Sequence, residues 1–304
     1  RAEVLKAQGQ LPAALAAFDE VIREHPENVV ARNGRAEVLK AQGQLPAALA
    51  AFDEVIREHP TDVFAKNGRA EVLKAQGQLP AALAAFDEVI REHPENVVAK
   101  NGRAEVLKAE GLLEDALAAY NKVSLQFPND DIARNGRACV LAALGRFSEA
   151  LEFLPHGPLV TLQGWIGQHI RGMILLKMRK RNEAIRILNA GLQGCPWHFQ
   201  KEYFRAALVV AWLRSGDFSK AKEHLDAVRS PQLQAVANVL RLHVFGAERN
   251  LESANRALQN LAATPFYSNQ LTQELRRRFI LQEQPHHDDE WLSDQEVDLF
   301  LLAA

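Results

Sequence analysis

Cysteine, methionine and long apolar runs are scarce in this chain. Its two cysteines, Cys139 and Cys195, stand far apart among 304 residues and form no CxxC or Cys/His spacing. That excludes a disulfide framework or a zinc knuckle and suits a reducing, cytoplasmic compartment. No apolar run reaches the roughly eighteen residues a membrane span needs, so no membrane is expected. Nor is charge of one sign in excess: 36 Lys plus Arg face 38 Asp plus Glu, a balance that argues against nucleic acid as the partner. The reactive motifs are missing too, with no glycine-rich phosphate loop, HExxH pair, nucleophile elbow or EF-hand spacing. No carboxylate sits in an apolar setting that would separate acid from base. No catalytic residue, cofactor or enzyme activity is expected. The one dense group of metal-capable side chains, HHDDE at 286–290, follows Gln282, Gln284 and Pro285 and reads as a polar linker, because adjacent histidines point different ways.

What is present is repetition. RAEVLKAQGQLPAALAAFDEVIREHP fills residues 1–26 and returns unchanged at 35–60 and 69–94, a period of 34. One full unit runs from Val29 to Asp62. In its second half Leu45, Ala48, Leu49, Phe52, Val55 and Ile56 recur at spacings of three and four, which places them on one stripe of a helix. Pro46 suits the first turn of that helix, and Pro60 forbids its continuation. Gly43 marks the turn from a preceding helix, VVARNGRAEVLKAQ, with Ala31, Ala36, Val38 and Leu39 as apolar positions. Two such helices form a hairpin whose core only the next hairpin completes. His25, His59 and His93 are one repeat position, a solvent-facing turn residue.

The 34-residue register of Ala36, Leu39, Gly43, Ala48, Phe52 and Pro60 resembles the tetratricopeptide repeat. It recurs at Ala70, Leu73, Gly77, Ala82, Phe86 and Pro94, then at Ala104, Leu107, Gly111, Ala116, Tyr120 and Pro128. It weakens after PHGP at 155–158 but survives in units beginning near 165, 202 and 235. The resemblance implies an all-α, right-handed superhelical solenoid of antiparallel helix hairpins. The expected division is a near-identical array at 1–154, degenerate repeats at 155–262 and C-terminal capping helices at 263–304. Arg32, Arg35, Lys66, Arg69, Lys100 and Arg103 stand where the family offers a large aromatic and a leucine. Pairing with acids such as Asp53, Glu54 and Glu58 is expected there in preference to phosphate binding, and with it a thinner core.

The family's first helices line a concave groove, which implies a protein or peptide partner. By that resemblance the early groove positions include Val30, Phe64 and Val98, the asparagines Asn33, Asn67, Asn101 and Asn135, and the lysines Lys40, Lys74 and Lys108. The asparagine ladder either hydrogen-bonds the main chain of an extended peptide or serves only its own helix starts. Later units place Ile166, His169, Met173 and Lys177, then Tyr203, Val210, Leu213 and Arg214, at the same positions. This more apolar surface is expected to supply most of the partner specificity, with Lys177 and Arg214 answering acids. The terminal WLSDQEVDLFLLAA reads as a capped helix that closes the last hairpin or folds back into the groove. The function implied is a protein-interaction scaffold. The alternative is a regulatory or sensor arm of a larger signalling enzyme or transcription activator with its effector domain upstream of Arg1.

Overall fold

The computed structural model describes residues 1–154, 161–229, 233–247 and 251–262. The PHGP interruption, the HHDDE cluster and the expected C-terminal cap lie outside them. The chain forms two compact units, Arg1–Val140 and Leu141–Ala304. The expected division lies at 154/155, whereas compactness divides the chain earlier, inside the helix Asp131–Ala143 (α9).

In the first unit α1 (Ala2–Ala7), α2 (Leu11–Glu24), α3 (Val29–Ala41), α4 (Leu45–Glu58), α5 (Val63–Ala75), α6 (Leu79–Glu92), α7 (Val97–Ala109) and α8 (Leu113–Gln126) precede α9. Each odd-numbered helix up to α7 pairs with the next to make a hairpin, and each hairpin packs on its successor. Sequence chemistry sets the ends. Gly43 turns α3 into α4 at φ +75°, a left-handed conformation that costs glycine little. Pro46 sits in the first turn of α4, where its missing N–H leaves nothing unpaired. At the start of α5 the Asp62 carboxylate accepts from the Ala65 N–H at 2.7 Å, and Asn28 and Asn96 cap α3 and α7 in the same way.

The core repeats with the sequence. Ala36 and Leu39 of α3 pack with Ala48, Phe52 and Val55 of α4 and with Ala65 and Val72 of α5. A hairpin therefore closes its core only on the next one, as expected of a stacked repeat. Phe52 is fully buried, which is worth roughly 1.5–3 kcal/mol. Its ring rests on Gly68 of the following hairpin, where a Cβ would lie 2.4 Å from Cζ.

The unusual basic positions are built into an ion-pair lattice. Arg32 pairs with Glu58 and, at 3.2 Å, with Glu54 on its own hairpin, while Arg35 reaches back 2.6 Å to Asp19. Lys66 repeats the first pattern with Glu92 at 2.6 Å and Glu88 at 3.4 Å, and Arg69 repeats the second with Asp53. The Arg32 guanidinium holds the Glu58 carboxyl down to about 2. Solvated pairs of this kind contribute about 0–1 kcal/mol each.

The second unit contains α10 (Phe147–Phe153), α11 (Leu162–Lys177), α12 (Arg181–Gly194), α13 (His198–Leu213), α14 (Phe218–Asp226), α15 (Gln234–Ala247) and α16 (Leu251–Ala262). Three hairpins, α11/α12, α13/α14 and α15/α16, stack in order. Helix α13 is enclosed on nearly every side, with Phe204, Ala207, Leu208, Val210 and Ala211 all buried. Phe204 sits against Gly191 of α12, where a Cβ would lie 2.2 Å from its ring.

Candidate functional site

On the first unit, each first helix exposes one large apolar residue in its opening turn. Val30, Phe64, Val98 and Ile132 are 74, 55, 54 and 44% exposed, and they share a sequence period of 34. One turn further along the same face stand Asn33, Asn67, Asn101 and Asn135, each less than a tenth exposed. Spacing of three residues on a helix puts each apolar side chain beside its asparagine.

The first three asparagines do not cap their own helices. Their amides donate across to the residue that caps the first helix of the next hairpin: Asn33 Nδ2 to both Asp62 oxygens at 3.3 Å, Asn67 Nδ2 to Asn96 Oδ1 at 3.4 Å, and Asn101 Nδ2 to Asp130 Oδ1 at 2.9 Å. The capping oxygens thus accept from the asparagine and from their own helix at once. This leaves the Oδ1 atoms of Asn33, Asn67 and Asn101 buried without a hydrogen-bond partner. A buried acceptor left unpaired costs about 1–3 kcal/mol, so the ladder holds a repeated, unmet demand for a donor.

The groove lysines are already neutralised. Lys40, Lys74 and Lys108 pair with Glu37, Glu71 and Glu105 one turn earlier at 2.9, 2.8 and 2.7 Å. The last pair differs, because Tyr120 replaces the phenylalanine of earlier units and its hydroxyl donates to Glu105. Burial pushes the Glu105 carboxyl up, but the Lys108 charge and hydrogen bond together with the Tyr120 hydroxyl hold it below the ordinary carboxylate range. Cys139 lies in the field of the same pair, and burial pushes its thiol up to about 11. It is therefore a poor nucleophile.

The later groove positions are arranged differently. His169, Met173, Val210 and Leu213 are buried in the folded chain, and Ile166 and Tyr203 are half-buried. His169 meets the rings of Tyr203 and Phe204 edge-on, at centroid distances of 6.0 and 5.8 Å. Burial lowers its imidazole to about 4. The two basic residues are engaged: Arg214 donates to the Leu176 carbonyl at 2.9 Å, and Lys177 lies 5.9 Å from the Phe147 ring centre. A fully enclosed side chain presents no surface, so His169, Met173, Val210 and Leu213 serve packing in the folded chain.

Among the described residues no group of histidine, cysteine or carboxylate side chains has the arrangement of a metal site. No described helix is long and apolar enough to cross a membrane. Each unit is thus built of stacked helical hairpins, and the first carries a periodic, half-apolar face. Residues 1–63 and 73–138 match tetratricopeptide-repeat family models, and the chain is a tetratricopeptide-repeat protein. No curated protein sequence matches it.

Several solved structures share the fold. A tetratricopeptide repeat protein from Parabacteroides merdae is 17% identical at TM-score 0.60, over 86% of this chain and 97% of its own. A thermophilic repeat protein from Thermus thermophilus is 20% identical at TM-score 0.51, over 60% and 99%. The human IFIT1 dimer with m7Gppp-AAAA is 15% identical at TM-score 0.62, over 98% and 74%. At such identities the likeness is one of fold alone. Proteins of this repeat class generally serve protein–protein interaction and are typically non-catalytic scaffolds.

Sequence reasoning found the asparagine ladder but neither its acceptors nor Ile132. The acceptors were legible as Asx residues recurring just before each first helix, at 28, 62, 96 and 130.

Proposed function

We propose that this protein is an interaction scaffold whose first unit binds an extended apolar peptide segment of a partner along Val30, Phe64, Val98 and Ile132. The carrying observation is that row of exposed apolar side chains, set beside the partnerless amide oxygens of Asn33, Asn67 and Asn101. Apolar side chains of the peptide cover the row, while the asparagines beneath it, donating to the caps of the next hairpin, hold the helices that present it. Such a surface selects for apolar content and extended backbone more than for one particular sequence. The paired lysines Lys40, Lys74 and Lys108 form a neutral border and attract no net charge. Ile166, Lys177, Tyr203 and Arg214 retain partial exposure or polar contacts and are proposed as a secondary surface on the second unit, within a chain that works in the cytoplasm.

Peptides selected from a random display library against the full chain test this reading. A photocrosslinking residue at 64 or 98 should capture the selected peptides, and one at Leu125, which is 83% exposed on a second helix, should not. Equal capture at all three positions contradicts the groove.

A further inference from the structure

One cluster of basic and acidic side chains recurs along the first unit, and its charge balance changes at the last copy. It forms where a second helix meets both helices of the next hairpin. On α7 it lies on the opposite side from Val98 and Asn101, since residues two apart on a helix point about 200° apart. In the α2–α3–α4 copy, a cavity of about 550 Å³, Arg32 and Arg35 face three carboxylates, Asp19, Glu54 and Glu58. Each guanidinium there is held by an acid. One period later Lys66 and Arg69 likewise face Glu88, Glu92 and Asp53.

At the α6–α7–α8 copy, a cavity of about 760 Å³, this balance is reversed. The position held by Glu54 and Glu88 becomes Lys122, and the position held by Glu58 and Glu92 becomes Gln126. Lys100 has lost both carboxylates: its ammonium donates to the Gln126 side-chain oxygen and sits 5.3 Å from the Phe127 ring centre. Lys122 is exposed at the rim, with no ion pair among the described residues. Arg103 keeps its 2.6 Å contact with Asp87, Asp115 joins the lining, and behind the wall Glu95 accepts from the Gln126 amide at 2.6 Å. Among the lining residues three cations now face two carboxylates where two cations faced three.

We propose that the α6–α7–α8 pocket is a phosphate-binding site, in which the phosphoryl group of a ligand replaces the two carboxylates missing around Lys100 and is held by Lys100 and Lys122. A phosphate monoester carries about −1.5 to −2 charge at neutral pH and three acceptor oxygens. That matches what the substitutions removed. Gln126 lies at the same wall with its amide donating to Glu95 at 2.6 Å, so Lys100 and Lys122 are the groups left to hold the anion, and the Phe127 ring keeps the Lys100 stem in place. The earlier copies are filled by their own acids and reject an anion. On a nearly neutral chain a small excess of positive charge in one pocket suits one phosphoryl group and not a polyanion.

The test titrates the full chain at low salt with inorganic phosphate, with a phosphoserine peptide and with the same peptide unphosphorylated, reading backbone amide shifts by NMR. Saturable shifts at residues 100–103 and 119–126, weakened by added salt, are expected with the first two probes and not the third. Tighter binding of the phosphopeptide than of phosphate assigns the ligand to a phosphorylated segment, and equal binding assigns it to a small phosphate. Lys122→Glu restores the acid of the two earlier copies, so it should fold with an unchanged or higher Tm and lose at least tenfold in phosphate affinity. Glu88→Lys combined with Glu92→Gln should create a second site at Lys66. The proposal is overturned if wild type shows no saturable shift, or if Lys122→Glu binds phosphate as wild type does.

Discussion

Phe52 and Gly68 share one space: the ring of the first lies where the Cβ of any other residue at 68 would be, 2.4 Å from Cζ. Alanine normally favours a helix over glycine by about 1 kcal/mol, but here a methyl group overpacks a closed core, at a typical cost of 1–3 kcal/mol. Gly68→Ala should therefore destabilise by about 1–2 kcal/mol in urea unfolding. Adding Phe52→Leu should recover part of that loss, whereas additive losses would show that the two residues do not compete.

Asp62 serves two hairpins, since it accepts from the Ala65 N–H and from the Asn33 amide. Asp62→Ala should cost about 1–2 kcal/mol, the usual cap loss plus one weak hydrogen bond. Asp62→Asn should stay within about 0.5 kcal/mol of wild type, because Asn28 and Asn96 fill the same place in neighbouring repeats. Equal losses for the two variants would remove the cap from the account.

Tyr120→Phe restores the residue of the earlier units but strips a donor from the half-buried Glu105 carboxylate. Hydrogen bonds to charged groups contribute about 1.5–3 kcal/mol, and a loss in that range is expected. Glu105 titrates below the ordinary carboxylate range in the folded chain. Its contribution is therefore complete above the unfolded pKa and fades as pH falls through the folded one. The wild-type advantage over Tyr120→Phe should shrink on acidification, and a constant gap from neutral pH to pH 3 would contradict the coupling.

His169 gives the second unit its own acid response. It is buried, its Nδ1 has no hydrogen-bond partner, and its folded pKa of about 4 lies below the ordinary 6.5. A depressed histidine pKa means that the unfolded chain takes up the proton first, so stability is lost as pH falls from about 6.5 towards 4. The full loss corresponds to about 3 kcal/mol. His169→Phe keeps an aromatic ring against Tyr203 and Phe204 and should flatten stability across that window. A variant with the wild-type slope would place the acid response elsewhere.

Legibility followed periodicity. Gly43, Pro46 and the stripe through Phe52 announced the hairpins because turn chemistry and helical spacing are local, and the ion pairs of Arg32 and Arg35 were legible because acids recur opposite them. The role of Gly68 was not, since a close approach depends on a ring in another hairpin. The burial of Met173, Val210 and Leu213 was not legible for a related reason: family register assigns them to a face, but whether that face is open depends on what packs over it. Lys122 and Gln126 were visible as departures from an exact repeat, and they gained meaning only when the pocket brought them beside Lys100.

The central claim is that the row through Phe64 binds a partner, and one titration tests it most directly. A display-selected apolar peptide is titrated calorimetrically into wild type, Phe64→Ser and Leu125→Ser, each shown by its unfolding midpoint to be folded. The account predicts at least a tenfold loss of affinity for Phe64→Ser, about 1.4 kcal/mol, and none for Leu125→Ser. Equal affinity of wild type and Phe64→Ser would contradict it.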